Sequence, residues 1–148
     1  MELFSNINIH SSVAVYVQIE NQVQFAIAAG NLKAGDRLPS VQKLAKEIGV
    51  NPNTVAKAYR DLEVMGYLYT RRGMGVFIEK GIEAKCRESV RRQTLERMHE
   101  VIAEAKAAGV NKEEVRNWVQ KCLTSKTQPY QDAPASLLAA AKPAKKGN

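Results

Sequence analysis

The sequence predicts a mainly α fold with a small β hairpin, and three observations carry that reading. Three apolar stripes at helical spacing, each followed by a glycine, occupy the chain up to Gly66. Two short runs of β-branched and aromatic residues come next, joined by a basic, glycine-rich turn. Beyond residue 80 the composition shifts to Ala, Glu, Arg and Lys, which favours helix, and it ends in a tail of Ala, Pro and Lys.

The first stripe is Tyr16, Ile19, Val23 and Ile27, with Gln18, Glu20, Gln22 and Gln24 assigned to the helix surface and Gly30 as its stop. Residues 32–39 read as a loop. Ser40 is the expected N-cap of a second, short helix carrying Val41, Leu44, Ala45 and Ile48, which Gly49 ends. Asn51 caps a third helix and Pro52 takes its first position, where the missing N–H costs nothing. Val55, Ala58, Tyr59, Leu62 and Met65 form its inner stripe, and Gly66 stops it. Residues 67–70 and 76–78 read as strands. Helix, helix, tight turn, helix and hairpin is the order of a winged helix-turn-helix, assigned to residues 1–80.

Residues 81–123 form the second region, a long helix over 82–108 and a shorter one after Gly109. Asn111 and Glu114 have capping-box spacing at the start of the shorter helix. Val90, Met98, Val101 and Ile102 line one stripe, and Val115, Trp118 and Val119 line the other. Two amphipathic helices of this size cannot bury both stripes on each other and need either the winged domain or a second copy; the second copy is the expected partner, with Trp118 as anchor. Residues 124–148 hold Pro129, Pro134 and Pro143 and few large apolar groups, and are expected to form a disordered basic tail.

Several classes of function are excluded. The net charge of +7 is spread as nine basic against seven acidic residues in 1–80, the same in 81–123, and four against one in the tail. A basic isoelectric point alone is a weak pointer to nucleic acid, so placement has to decide. No run approaches a membrane span, and the start of the chain lacks a signal pattern, which gives a cytoplasmic expectation. His10, His99, Cys86 and Cys122 lack metal-ligand spacing, no phosphate-binding glycine loop occurs, and no nucleophile–base pair is brought together by periodicity. Neither an enzyme nor a cofactor is expected.

What remains is the third helix. Opposite its inner stripe lie Asn53, Lys57 and Arg60, with Thr54 at the boundary and Asn51 at the tip. Asn pairs with adenine, while Lys and Arg reach guanine or phosphate, so this face suits a major groove. Arg71 and Arg72 sit at the hairpin tip beside Gly73, and Ser40 offers a helix N-terminus to a phosphate. A solvated helix face, or a winged-helix adaptor that docks a protein, is the rival reading.

The stretches Leu38-Pro39-Ser40-Val41-Gln42-Lys43-Leu44-Ala45, Gly49-Val50-Asn51-Pro52-Asn53-Thr54-Val55, Leu62-Glu63-Val64-Met65-Gly66-Tyr67 and Gly73-Met74-Gly75-Val76-Phe77 resemble the GntR family of bacterial transcription regulators, in its YtrA-like subfamily. The resemblance covers residues 12–80. It implies a homodimeric repressor bound to a palindromic double-stranded operator, with DNA contacts at Ser40, Gln42, Asn51, Asn53, Thr54, Arg72 and Gly73. Family members carry arginines where this chain has Gln42, Pro52 and Ala56, so Lys57 and Arg60 are expected to supply part of that charge. Larger relatives append sensor domains that residues 81–123 are too short to form. A small-molecule effector, where one acts, would then bind between protomers.

Overall fold

The computed structural model describes residues 2–132, and the order of elements follows the sequence reading. A 3₁₀ turn at Glu2–Phe4 precedes helices α1 (Val15–Ala28), α2 (Val41–Ile48) and α3 (Pro52–Val64). Strands β1 (Leu68–Arg71) and β2 (Gly75–Ile78) form an antiparallel hairpin, followed by α4 (Glu83–Ala107) and α5 (Lys112–Thr124). The chain divides into two compact units, one ending at Gln93 and one beginning at Thr94.

In the first unit the expected stripes meet in one core. Ile19, Val23 and Ile27 of α1, Leu44 of α2, and Val55, Ala58 and Leu62 of α3 are all excluded from solvent. Leu68 and Ile78 close it from the hairpin, and Ile82 and Cys86 from the start of α4. The local punctuation also holds. Ser40 Oγ accepts from Lys43 N at 3.2 Å, and Asn51 Oδ1 accepts from Asn53 N at 2.8 Å. Gly49 takes a left-handed φ of 71°, which ends α2 at little steric cost.

Five expectations change. Gln18, Gln22 and Gln24 are buried, not on the surface. Helix α1 is covered on more than one side, so its buried sector is wider than one stripe. Gln18 illustrates how polar groups survive there. Its Oε1 accepts from Asn8 N at 2.8 Å, while Nε2 donates to Asn8 O at 2.8 Å and Val13 O at 2.7 Å, binding the N-terminal segment to α1. Gln24 O in turn accepts from the Cys86 thiol at 3.4 Å, and burial pushes the Cys86 pKa up. Met65 is 40% exposed, because α3 gives way to a cap and turn before it reaches the core.

The third change concerns residues 32–39, which pair with β2. Leu38 N donates to Val76 O, Ile78 N to Asp36 O and Gly35 N to Ile78 O, each at 2.9 Å. Arg37 bridges to Phe77 in antiparallel register. Residues 35–38 are thus laid along β2 through an isolated bridge, and Leu32 and Leu38 are buried with them. The first strand begins and ends one residue later than expected and the second begins one residue earlier, since Arg71 and Gly75 pair across the turn. Finally, Val90 is half-buried against the core of the first unit, which reaches past residue 80.

The second unit is a helical pair in which α5 opens with the expected capping box between Asn111 and Glu114. No residue of α5 is buried. Thr124, assigned to the tail, closes α5, and most of that tail, residues 133–148, lies outside the described residues.

Between α1 and α3 runs a charged seam. Lys57 Nζ meets Asp61 Oδ2 at 2.7 Å and lies 4.3 Å from the centre of the Tyr16 ring. The Lys57 contact holds the Asp61 carboxyl below its usual pKa. Glu20 behaves in the opposite way. Burial, then the neighbouring Asp61 carboxyl, push its pKa up to about 7, and Lys57 only partly opposes this. Its Oε1 is buried with no hydrogen-bond partner among the described residues.

Two outcomes follow. Leu62→Ala empties the centre of the core and should cost about 2–5 kcal/mol, read as a lower urea midpoint with an unchanged slope. Because folded Glu20 holds its proton more tightly than the unfolded chain does, its ionisation should erode stability as pH rises from 4.5 to about 7. Glu20→Gln should remove that part of the pH dependence and raise stability above pH 7. An unaltered pH–stability curve would show that Glu20 does not titrate in this window.

Candidate nucleic-acid interface

The polar side of α3 is presented by the burial of its other side. Val55, Ala58, Tyr59 and Leu62 face the core, which leaves Asn51, Asn53, Lys57 and Arg60 exposed and Thr54 half-buried. Two side-chain bonds fix this helix against its neighbours. The Tyr59 hydroxyl donates to Pro39 O at 2.8 Å, just ahead of α2, and burial raises its pKa. Glu63 Oε1 accepts from Thr70 N at 3.1 Å, which ties the end of α3 to β1.

Ser40 and Gln42 are exposed at the start of α2. The Ser40 cap uses the hydroxyl oxygen as acceptor, so its proton remains able to donate to a phosphate oxygen. Arg71, Arg72 and Gly73 are exposed at the hairpin turn. Gly73 has φ 74°, a left-handed conformation that glycine adopts without strain and that brings bare backbone to the tip.

Lys57 is the one predicted cation with an intramolecular engagement visible in the geometry. Its Asp61 contact, the first cause of a raised pKa, and the Tyr16 ring draw it toward α1. Periodicity placed Lys57 on the outer face but carried no sign of the Tyr16 ring. Sequence reasoning also missed Arg37, which the bridge to Phe77 brings to the hairpin. Alternation of side chains along residues 36–38 was the available signal, obscured by the glycine and proline on either side.

The seven residues expected at a second-copy interface divide. Val90 belongs to the first unit's core. Met98, Val101, Ile102 and Trp118 are exposed in the second unit at 46%, 61%, 37% and 37%, and Val115 and Val119 are half-buried.

Comparison with known proteins agrees with this arrangement. The family model for bacterial regulatory proteins of the gntR family matches residues 15–78. The HTH-type transcriptional repressor YtrA of Bacillus subtilis is 38% identical over 111 residues, covering 75% of this chain and 85% of that one. The regulator YhcF of the same organism is 36% identical over 107 residues, 71% of this chain and 86% of its own. Among solved structures, a GntR family transcriptional regulator from Listeria monocytogenes superposes with a TM-score of 0.59 at 34% identity, covering 74% of this chain and 96% of that chain. A transcriptional regulator from Oenococcus oeni gives 0.57 at 35%, covering 78% and 96%. With the winged helix-turn-helix complete in its first unit and relatives matched over most of their length, the chain belongs to the gntR family of bacterial transcriptional regulators, on its YtrA-like side.

Proposed function

We propose that the chain is a homodimeric repressor that binds a palindromic double-stranded operator, with α3 in the major groove and the hairpin turn on the adjacent backbone. One observation carries this reading. The exposed polar face of α3, the start of α2 and the basic hairpin belong to one unit, with α3 tied to the residue ahead of α2 by the Tyr59–Pro39 bond and to β1 by the Glu63–Thr70 bond. Asn51 and Asn53 are suited to adenine, Arg60 to guanine or phosphate, and Arg71, Arg72 and the Gly73 backbone to the sugar–phosphate chain. The word repressor comes from the name of the YtrA relative.

Dimerisation is supported by the apolar surface of the second unit. Leu95, Met98, Val101, Ile102, Trp118 and Leu123 are large, apolar and exposed, an uncommon density for a monomer. A twofold dimer presents two reading helices about 34 Å apart, which matches an operator with half-sites one turn apart. A small molecule that altered this pairing would alter the spacing of the two helices and hence operator affinity. The described helices are none of them long and apolar enough to cross a membrane, and the reading is of a regulator acting in the cytoplasm without cofactor or catalysis.

Binding to the DNA upstream of the regulated genes should weaken steeply as salt rises, whereas a winged-helix adaptor for proteins would give a flat response. Arg72→Ala should weaken binding to all sequences alike, and Asn53→Ala should relax preference at one base position by about 1–3 kcal/mol without changing the melting transition. Footprints of the two variants against the parent check both. Trp118→Ala should weaken the dimer by about 2 kcal/mol, roughly thirtyfold, measured by sedimentation across dilution. Unchanged self-association would remove Trp118 from the interface.

A further inference from the structure

The wing is the β1–β2 hairpin with residues 36–38 hydrogen-bonded along β2, and its two faces differ. Leu38, Leu68 and Ile78 point into the core. The pairings Arg71↔Gly75, Tyr69↔Phe77 and Arg37↔Phe77 put Arg71, Tyr69, Phe77, Gly75 and Arg37 on the opposite, outer face. Tyr69 and Phe77 stack there, with ring centres 5.6 Å apart. Gly75 leaves a slot beside them, and the Arg37 guanidinium fills it. A Cβ built on Gly75 would stand 2.7 Å from Arg37 Nε and 3.3 Å from Cζ. Gly75 also has φ 122°, which side-chain-bearing residues rarely adopt. The glycine thus serves a second purpose beside the turn: it seats an arginine from a different segment of the chain.

We propose that Arg37 is a DNA-backbone contact of the wing, acting together with Arg71, the strand partner of Gly75. This deepens the operator-binding reading and rests on it. Gly75 has no side chain to displace the Arg37 guanidinium, and Arg71 lies on the same face, so one stretch of phosphate backbone can approach both cations. The planar fork of Arg, bedded on backbone, loses less freedom on binding than an unsupported side chain. Since Arg37 lies only three residues ahead of Ser40, the start of α2 and the wing would grip neighbouring parts of one backbone. It reads no base, so it raises affinity for every sequence equally.

The test is titration of the full chain with a random-sequence DNA duplex over a range of salt, for the parent and for Arg37→Gln, Arg37→Lys and Arg72→Gln. Arg37→Gln should bind roughly tenfold more weakly for each protomer engaged, as for a lost hydrogen bond to a charged group. Its slope of log affinity against log salt should be shallower by about 0.9 for every Arg37 in contact. Arg37→Lys should keep the parent slope, because the charge survives, and recover part of the affinity. All should melt with the parent. If Arg37→Gln keeps the parent slope and affinity while Arg72→Gln loses both, Arg37 is off the DNA and this proposal fails alone. If Arg37→Lys loses slope as Arg37→Gln does and both melt early, Arg37 serves only the wing's structure and the proposal also fails. A parent chain with no salt-dependent duplex binding would overturn the operator reading and this inference together.

Discussion

The first unit depends on the rotational setting of α3. This helix is only 13 residues long, and by itself would be marginal in water. It is held by the exclusion of Val55, Ala58 and Leu62 from solvent, against α1, α2 and β1. A rotation by one residue, about 100°, would bring Leu62 to the surface and drive a polar neighbour into the core. Losing one such side chain from the core costs on the order of 1.5–3 kcal/mol, a large share of a small domain's stability. Burial on one side therefore aims the other side. That Asn51, Asn53 and Arg60 point outward is a consequence of where the apolar residues lie, and no bond to those polar groups is needed to arrange it.

Much of this was legible in the sequence because it depends on local rules. Ser40, Gly49, Asn51 and Pro52 delimit their helices through steric and capping preferences that act within a few residues. The inner stripe of α3 was readable through 3.6-residue periodicity. What escaped were features created by contact between distant segments. Gln18 reads as a surface residue, and only the fold supplies the Asn8 and Val13 backbone groups that let it be buried. Residues 35–38 read as loop because Gly35 and Pro39 punctuate them, yet β2 offers them a free edge to pair with. Met65 follows the period of α3, but the helix ends before that position reaches the core.

The charge distribution makes a similar point about the candidate site. Net charge is nearly even along the two folded regions, so it did not reveal which cations are available. Lys57 and Arg60 stand three positions apart on one helix, yet Lys57 also meets Asp61 and the Tyr16 ring. An exposed pair of this kind contributes little stability and is screened by salt. Its consequence is directional: the ammonium is drawn toward α1. Glu20 adds a second carboxyl beside Asp61, and burial there favours the protonated form of Glu20. Sequence periodicity assigned these groups to faces, but their mutual distances come from the way α1 and α3 pack.

Rigidity joins these elements into one recognition surface. If α2, α3 and the wing moved independently, association with DNA would have to order them, at a cost of about 0.5–1.5 kcal/mol for each rotamer-rich side chain immobilised and more for each segment. In this chain that ordering is completed during folding. The Tyr59 hydroxyl holds the residue that precedes α2, Glu63 holds strand β1, and the segment at 36–38 is hydrogen-bonded to β2 before α2 begins. The backbone therefore passes from the segment bridged to β2 to the Ser40 cap within a few residues, and any displacement of the wing must strain the start of α2. Three segments that are separate in sequence thus behave as one body, and the geometry among Ser40, the tip of α3 and the hairpin turn is set by the hydrophobic core and not by the DNA.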